Sequence, residues 1–433
     1  MATFYVDHFR GFSKTCIPLS DVNFFVGENS TGKSSLLALI ELCADNNFWI
    51  SESFQTNKQD LGGFKDIVSA NEPHAEEFNF GFCENLLAQN DFPETKRCVL
   101  ISYKAEQGLP VCNAFGILFG NNLTCANIGG EKLKFSKKSL EDAEVNQEPR
   151  ELFKLMDSAI HQDASAWPDE RQLPLAMKGN LRMTMALMSQ QSITEKSHPS
   201  SFLIRPRFLG EFISMAPIRT RPRRTYDGYG HSHSPEGEHT PYVLRKRLAS
   251  KGKAVAFKRS LEKFGKESGL FKRVVVHEMG KETASPFELL VVLANQKLRI
   301  DNVGYGVSQV LPIIVEALDC PKKSWLSVQQ PEVHLHPKAQ AALGDLLFEI
   351  AEQEEKKFLI ETHSDYMIDR FRTNFAENQN CKITAQVLFF ERKNGYNTVT
   401  PISILKNGEY PSEQPDSFRS FFLKEQMRLL GIS

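Results

Sequence analysis

Apolar positions come in short strand-like runs early in this chain and in helix-spaced runs toward its end. The first 26 residues read as strands, with Phe4 to Phe9 one candidate and VNFFV (22 to 26) a short buried one. GENSTGKSS follows, then an apolar helix, LLALIELC. From about 78 to 136, runs such as RCVLISY, GILFG and KLKF are separated by turn residues, among them Gly108, Asn121–Asn122 and Gly129–Gly130. That spacing predicts an antiparallel sheet. Residues 138 to 200 are polar, acidic at first, and are expected to be helical. Farther on, RIDNVGYGVSQVLPIIVEAL predicts a loop entering a helix, and 325 to 330 a strand. The helix after Pro337 places Leu343, Leu346, Leu347 and Ile350 on one face. FLIETHS reads as a strand end, and VLFFERKNGYNTVTPISI as a hairpin turned at Asn394–Gly395. An amphipathic helix, SFRSFFLKEQMRLL, follows the hairpin. Neither an internal repeat nor a heptad run is present.

At 433 residues the chain can bury a large core, and its length suggests two or three domains. Hydrophobic residues at 41% and charged residues at 24% are ordinary for a folded soluble protein. The formal net charge of −1 argues against a wholesale polyanion binder and leaves room for a local basic patch. One exists: residues 205–273 hold 17 Lys/Arg against 6 Asp/Glu, a net +11, including RTRPRR, RKR and the helix-like KAVAFKRSLEKFGKE. Two readings stand, contact with DNA or RNA phosphates and a solvated or docking face. No stretch reaches ~18 uninterrupted apolar residues, so no membrane span is expected. MATFYVDHFRGF lacks the charged and apolar regions of a secretory signal, so a cytoplasmic protein is expected. Eight scattered cysteines without a CxxC pair are expected to be free thiols.

The sharpest chemistry lies at Gly27-Glu28-Asn29-Ser30-Thr31-Gly32-Lys33-Ser34, followed by Ser35, which fits G-x-x-x-x-G-K-[ST] between an apolar strand and a helix. Glycines let the backbone curl so that successive N–H groups face phosphates. The helix starting at Lys33 adds its positive dipole end. Lys33 is expected to reach the β- and γ-phosphates of ATP, and the Ser34 hydroxyl to ligate Mg2+.

Three later segments set the class: GYGVSQ (304 to 309), VQQPEVHLHP (328 to 337) and ETHSDY (361 to 366). With the phosphate loop they resemble the ATP-binding-cassette type of head, in the AAA15-like branch that includes RecF, SMC-like and OLD-family ATPases. The resemblance covers roughly 1 to 70 and 290 to 433. It implies an α/β fold, an ABC-type head with a RecA-like core and an antiparallel β-subdomain, plus a mostly helical basic insertion. The expected division is 1–140 and 291–433 for the head and 141–290 for the insertion. In such proteins ATP is sandwiched between two heads, which implies a homodimer or higher homo-oligomer. Gly306, Ser308 and Gln309 stand where the signature loop would be. Ser308 is expected as N-cap, with Pro312 in the first helical turn. His363 matches the histidine that contacts the γ-phosphate. His334 and His336 are read as a loop packing across the dimer, with metal binding a second reading. His231, His233 and His239 lie in HSHSPEGEHTP, read as a mobile surface loop.

Where the resemblance puts two acids, this chain has Gln329 for the metal-orienting one and Gln330 for the catalytic base. An amide can orient a water but cannot take a proton at neutral pH. ATP binding with slow or absent turnover is therefore expected, unless Glu332 or Glu361 supplies the missing acid. QPEVHLHP, ETHSDYMIDRFR, SPEGEHTPY and VLFFER…FRSFFLKEQ look like the ATPase subunits of Septu-type antiphage systems, including retron-associated ones. That resemblance implies a separate HNH nuclease partner, since the chain carries no HNH or TOPRIM pattern. The alternatives are a RecF-like DNA-repair ATPase, the ATPase partner of a TOPRIM nuclease, and a structural subunit that does not depend on ATP.

Overall fold

The computed structural model describes residues 2–420, apart from 56–59, 73, 87–93, 130–131, 163–166, 168, 173–203, 229, 231, 250–253, 283 and 379. Contacts divide the chain into two units. The first holds residues 1–20, 28–210 and 390–401, and the second 21–27, 211–389 and 402–433. The stretch 141–290, expected as an insertion, is shared between them.

In the first unit β1 (Ala2–Asp7) and β2 (Thr15–Leu19) precede the long strands β4 (Glu77–Leu86), β5 (Thr95–Glu106), β6 (Leu109–Phe119), β7 (Asn122–Gly129), β8 (Lys132–Ser139) and β9 (Asp169–Gln172). They form one eight-stranded sheet in the order β2-β1-β4-β5-β6-β7-β8-β9, antiparallel at every pairing. Period-2 alternation gives it two apolar faces. Phe78 and Phe80 of β4 join Phe48, Phe54 and Tyr103 in one aromatic cluster. The opposite face packs under a helix, Pro149–Ile160, whose Phe153 stacks on Tyr5 at 4.6 Å. Gly81 is required there, because a Cβ would lie 2.9 Å from the Phe153 ring and 2.3 Å from the Val99 carbonyl.

Buried charge braces the same unit. Arg97 is fully buried, and its Nε donates to Glu84 at 2.8 Å. Glu84 also accepts from the Phe208 N–H at 2.9 Å. The expectation of free thiols fails at one pair: the register sets Cys83 directly opposite Cys98, and the two are joined as a disulfide.

The second unit contains β3 (Val22–Gly27), β10 (Phe212–Met215), β14 (Trp325–Gln329) and β15 (Lys357–Glu361). With β16 (Ala385–Lys393) and β17 (Tyr396–Ile404) they make a six-stranded sheet in the order β10-β14-β15-β3-β16-β17. The pairs β10/β14, β14/β15 and β15/β3 are parallel. Asn394 and Gly395, at φ 51° and 86°, make the expected hairpin turn. A separate antiparallel sheet joins β11 (Arg273–Glu278), β12 (Phe287–Leu293) and β13 (Gln296–Arg299). Among the described residues the longer helices are α1 (Lys33–Ala44), α2 (Pro149–Ile160), α3 (Thr240–Ala249), α4 (Ala254–Ser268), α5 (Tyr305–Asp319), α6 (Pro337–Glu354) and α7 (Asp365–Glu377). Leu343, Leu346, Leu347 and Ile350 of α6 are all buried, each contributing about 1.5–3 kcal/mol.

One sequence expectation changes in this unit. HSHSPEGEHTP is packed at its second half: Gly237 and His239 are buried, and a Cβ on Gly237 would meet Pro312 at 2.7 Å. His231 lies outside the described residues, as does most of SFRSFFLKEQMRLL, which is helical at 416–420. Among the described residues no helix is long and apolar enough to cross a membrane.

Candidate functional site

The phosphate-loop residues Glu28–Ser35 belong to the first unit, immediately after β3 ends at Gly27. Glu28, Asn29, Ser30 and Ser34 are exposed, while Thr31 and Lys33 are buried. The loop is bent by Ser30 at φ 61° and Gly32 at φ 92°. Gly32 cannot be replaced in place, because an added Cβ would sit 2.5 Å from the Phe12 ring. The Lys33 Nζ donates to the Glu28 carbonyl at 2.6 Å, and the Thr31 hydroxyl donates to the same oxygen at 2.7 Å. Arg392 Nη2 braces the loop through the Ser30 carbonyl at 2.7 Å. The N-cap of α1 is Gly32, which has no side chain to cap the helix, and the first turn carries no acid. A helix start on a glycine-bent loop, with a lysine as its first residue, is an arrangement that suits a polyphosphate. Ser34, second in α1, is the residue that would hold Mg2+.

The second unit brings together the other candidates at the carboxyl ends of β14 and β15. Gln329 ends β14, and Gln330 follows at φ 46°. The Gln330 N–H donates to the Glu361 carbonyl at 2.8 Å. Glu332 spends both carboxylate oxygens locally: one accepts the Thr362 hydroxyl at 2.8 Å, the other the His363 N–H at 2.7 Å. It fixes the turn that carries His363, whose side chain is exposed. Ser364 caps α7 by accepting from the Met367 N–H at 3.1 Å, so ETHSD is also a helix start.

The signature segment needs a correction. Helix α5 begins at Tyr305 with Gly304 as N-cap, so Ser308 lies inside the helix and is not its cap. Its hydroxyl donates back to the Tyr305 carbonyl at 2.9 Å. Pro312 is therefore interior rather than in the first turn, and it removes the N–H that would meet the Ser308 carbonyl. Gly306 has a packing reason: a Cβ there would lie 2.7 Å from the His334 carbonyl. The buried Gln309 reaches the Arg219 carbonyl at 3.5 Å.

Metal binding by the histidines finds little room. His336 Nδ1 accepts the Ala339 N–H at 3.4 Å and so caps α6. His233, His239 and Glu316 do bring ligand atoms within 4.8 Å of one another. However, both ring nitrogens of His239 are already engaged: Nδ1 accepts the Ser234 N–H at 3.2 Å, and Nε2 lies 2.5 Å from Glu316. A ligating imidazole needs a lone pair at one nitrogen and a donor at the other.

Sequence reasoning missed Arg219 and Arg392. The first was only one charge in RTRPRR, and nothing local signals its burial. The second sits 362 positions from the carbonyl it braces.

The family description AAA ATPase domain (AAA_15) matches residues 1–178 and 244–368. No curated protein matches. Among solved structures, the SMC head domain from Thermotoga maritima is 11% identical, with 92% of this chain and 97% of that one covered at a TM-score of 0.39. The Pyrococcus furiosus Smc head bound to the C-terminal domain of ScpA is 10% identical, with 99% and 100% covered at 0.43. The recombination mediator RecF is 14% identical, with 92% and 97% covered at 0.32.

Proposed function

We propose, from the premise that this chain belongs to the AAA ATPase domain family, that it binds Mg–ATP and uses it as a clamp between two copies. Hydrolysis in this reading is slow or absent. Bound Mg–ATP supplies a triphosphate charge and one cleavable terminal bond. Lys33 and the loop N–H groups neutralise that charge, and Ser34 orients the metal. Gln330 can orient a water through its amide but cannot accept the proton. Lack of a positioned base lowers a rate by ~10²–10⁴.

The observation that carries this reading is the state of Glu332. It is the nearest acid in sequence to the two glutamines, and both of its oxygens are already committed to Thr362 and His363. An acid locked in two hydrogen bonds is a positioning group rather than a free base. The clamp itself needs no turnover, since a ligand at a hundred times its dissociation constant contributes ~2.7 kcal/mol to the state that binds it.

The role assigned to the clamp is control of a separate nuclease, of HNH type, in a cytoplasmic antiphage complex of the Septu kind. Its support is the motif resemblance alone. The second reading, a RecF-like grip on DNA through 205–273, meets a specific obstacle. Several of the cations in that window are already spent inside the chain: Arg245 on Glu278 at 2.6 Å, Arg247 on Asp319, Lys263 on Glu349. Arg219 is buried. A DNA grip would weaken steeply with salt.

The test is ATP binding and turnover by purified wild type, Lys33→Ala and Gln330→Glu. Binding by wild type with negligible turnover, its loss in Lys33→Ala and a gain of turnover in Gln330→Glu are expected. Ready hydrolysis by wild type would overturn the clamp reading and make Glu361 the acid to test.

A further inference from the structure

Arg219 lies in the second unit, four residues past the end of β10, and is 3% exposed. Flanking bonds hold its segment: Ala216 N–H donates to the Pro235 carbonyl and Thr220 N–H to the Glu236 carbonyl, both at 2.9 Å. Its Nη2 donates to the Gln329 carbonyl at 2.8 Å. Its Nε and Nη1 are buried, and among the described residues they have no hydrogen-bond partner.

That is an unusual state for a guanidinium. Burial lowers its pKa to about 10, with Glu332 pulling the other way, so the group is still a cation at neutral pH. Each unpaired N–H on a buried cation is costly, and a site that leaves both Nε and Nη1 unpaired is short of an acceptor. The guanidinium fork matches a planar or tetrahedral oxyanion better than any other acceptor. Its position agrees, since ligands of open parallel sheets gather at the carboxyl ends of the strands.

We infer that Arg219 is an oxyanion-binding residue at the carboxyl end of β14, a buried cation that holds the strand end through Gln329 and keeps Nε and Nη1 for an oxyanion of the phosphate class. The inference rests on the nucleotide reading above. It adds that where a hydrolysing ATPase carries two acids, this chain carries two amides and a buried positive charge. Such an edge stabilises a bound polyphosphate and does nothing to break it. Both nitrogens are screened from solvent, so the oxyanion arrives with an adjustment of the neighbouring side chains.

The experiment is calorimetric titration of wild type, Arg219→Gln, Arg219→Lys and Lys33→Ala with a non-hydrolysable ATP analogue, with ADP and with inorganic phosphate, alongside ligand-free melting temperatures. Arg219→Gln is expected to weaken the ATP analogue about tenfold or more, as loss of a charge-assisted hydrogen bond does. ADP should weaken by less than about threefold, and Arg219→Lys should fall between, because it keeps the charge and loses the fork. If phosphate alone binds wild type and not Arg219→Gln, the oxyanion is free phosphate and the inference stands in that form. Equal weakening of the analogue and ADP by both Arg219 variants, with lowered melting temperatures, would make Arg219 merely structural and sink the inference. So would unchanged binding of all three ligands. Unchanged binding in Lys33→Ala would instead overturn the nucleotide reading, and the phosphate arm would then decide Arg219 alone.

Discussion

His161, just past the end of α2, carries a pH signature that belongs to one residue. Its Nε2 lies 2.7 Å from Glu77 and its Nδ1 3.3 Å from Asp157. Hydrogen bonds to Asp157 and Glu77 raise its pKa to about 10, and the His161 contact lowers that of Glu77. A raised histidine pKa stabilises the fold fully below its unfolded value, and the contribution is lost as pH rises through the folded value. The window therefore runs from the ordinary 6.5 to about 10. Wild type should lose stability across that window, and His161→Gln should flatten the loss. Urea midpoints at about pH 6, 8 and 10 measure it. A slope unchanged in His161→Gln would assign the alkaline loss to other groups. The side chain is about one-third exposed, so the effect is a slope and not a collapse.

At the scale of elements, the start of α5 and the loop after β14 are fitted to each other. Gly306 lets the His334 carbonyl approach where any side chain would collide at 2.7 Å. Gly306→Ala should cost about 1–3 kcal/mol by overpacking, even though alanine favours a helix more than glycine does. Chemical denaturation reads the cost, and a stabilised variant would show that the loop yields freely. The same pair explains what the sequence could and could not reveal. GENSTGKSS is legible because a phosphate loop demands those residue types in that order, whatever surrounds it. The alternation in β4 and the turn at Asn394–Gly395 are legible because both are local. The start of α5 is not, because its first turn is set by packing on His334, and so the expected Ser308 cap does not form. Arg219 is hidden for a related reason: burial of one arginine in a basic run is decided by Gln329, 110 positions away. The pairing of Cys83 with Cys98 depends on a strand register that scattered cysteines do not announce.

At the scale of the whole molecule, the clamp reading requires a face that a second copy covers. Tyr305, half exposed on the first turn of α5, is its natural anchor, with the Arg221 guanidinium 6.0 Å from its ring and His334 5.6 Å away. Ile218, at 80% exposed, and Tyr366, at 52%, also stand in the second unit without cover. Aromatic residues with an arginine neighbour are the kind of group that dominates interface energy. Light scattering coupled to size exclusion, with and without a non-hydrolysable ATP analogue, puts this to the test. Wild type should gain mass with the analogue and Lys33→Ala should not. Tyr305→Glu should bind the analogue normally and yet stay at its ligand-free mass, because a charge replaces an apolar anchor without touching the phosphate loop. If wild type keeps one mass in both conditions, ATP does not assemble the protein. If Tyr305→Glu assembles as wild type does, the start of α5 is not the face that meets the second copy, and the signature reading of Gly306, Ser308 and Gln309 falls with it.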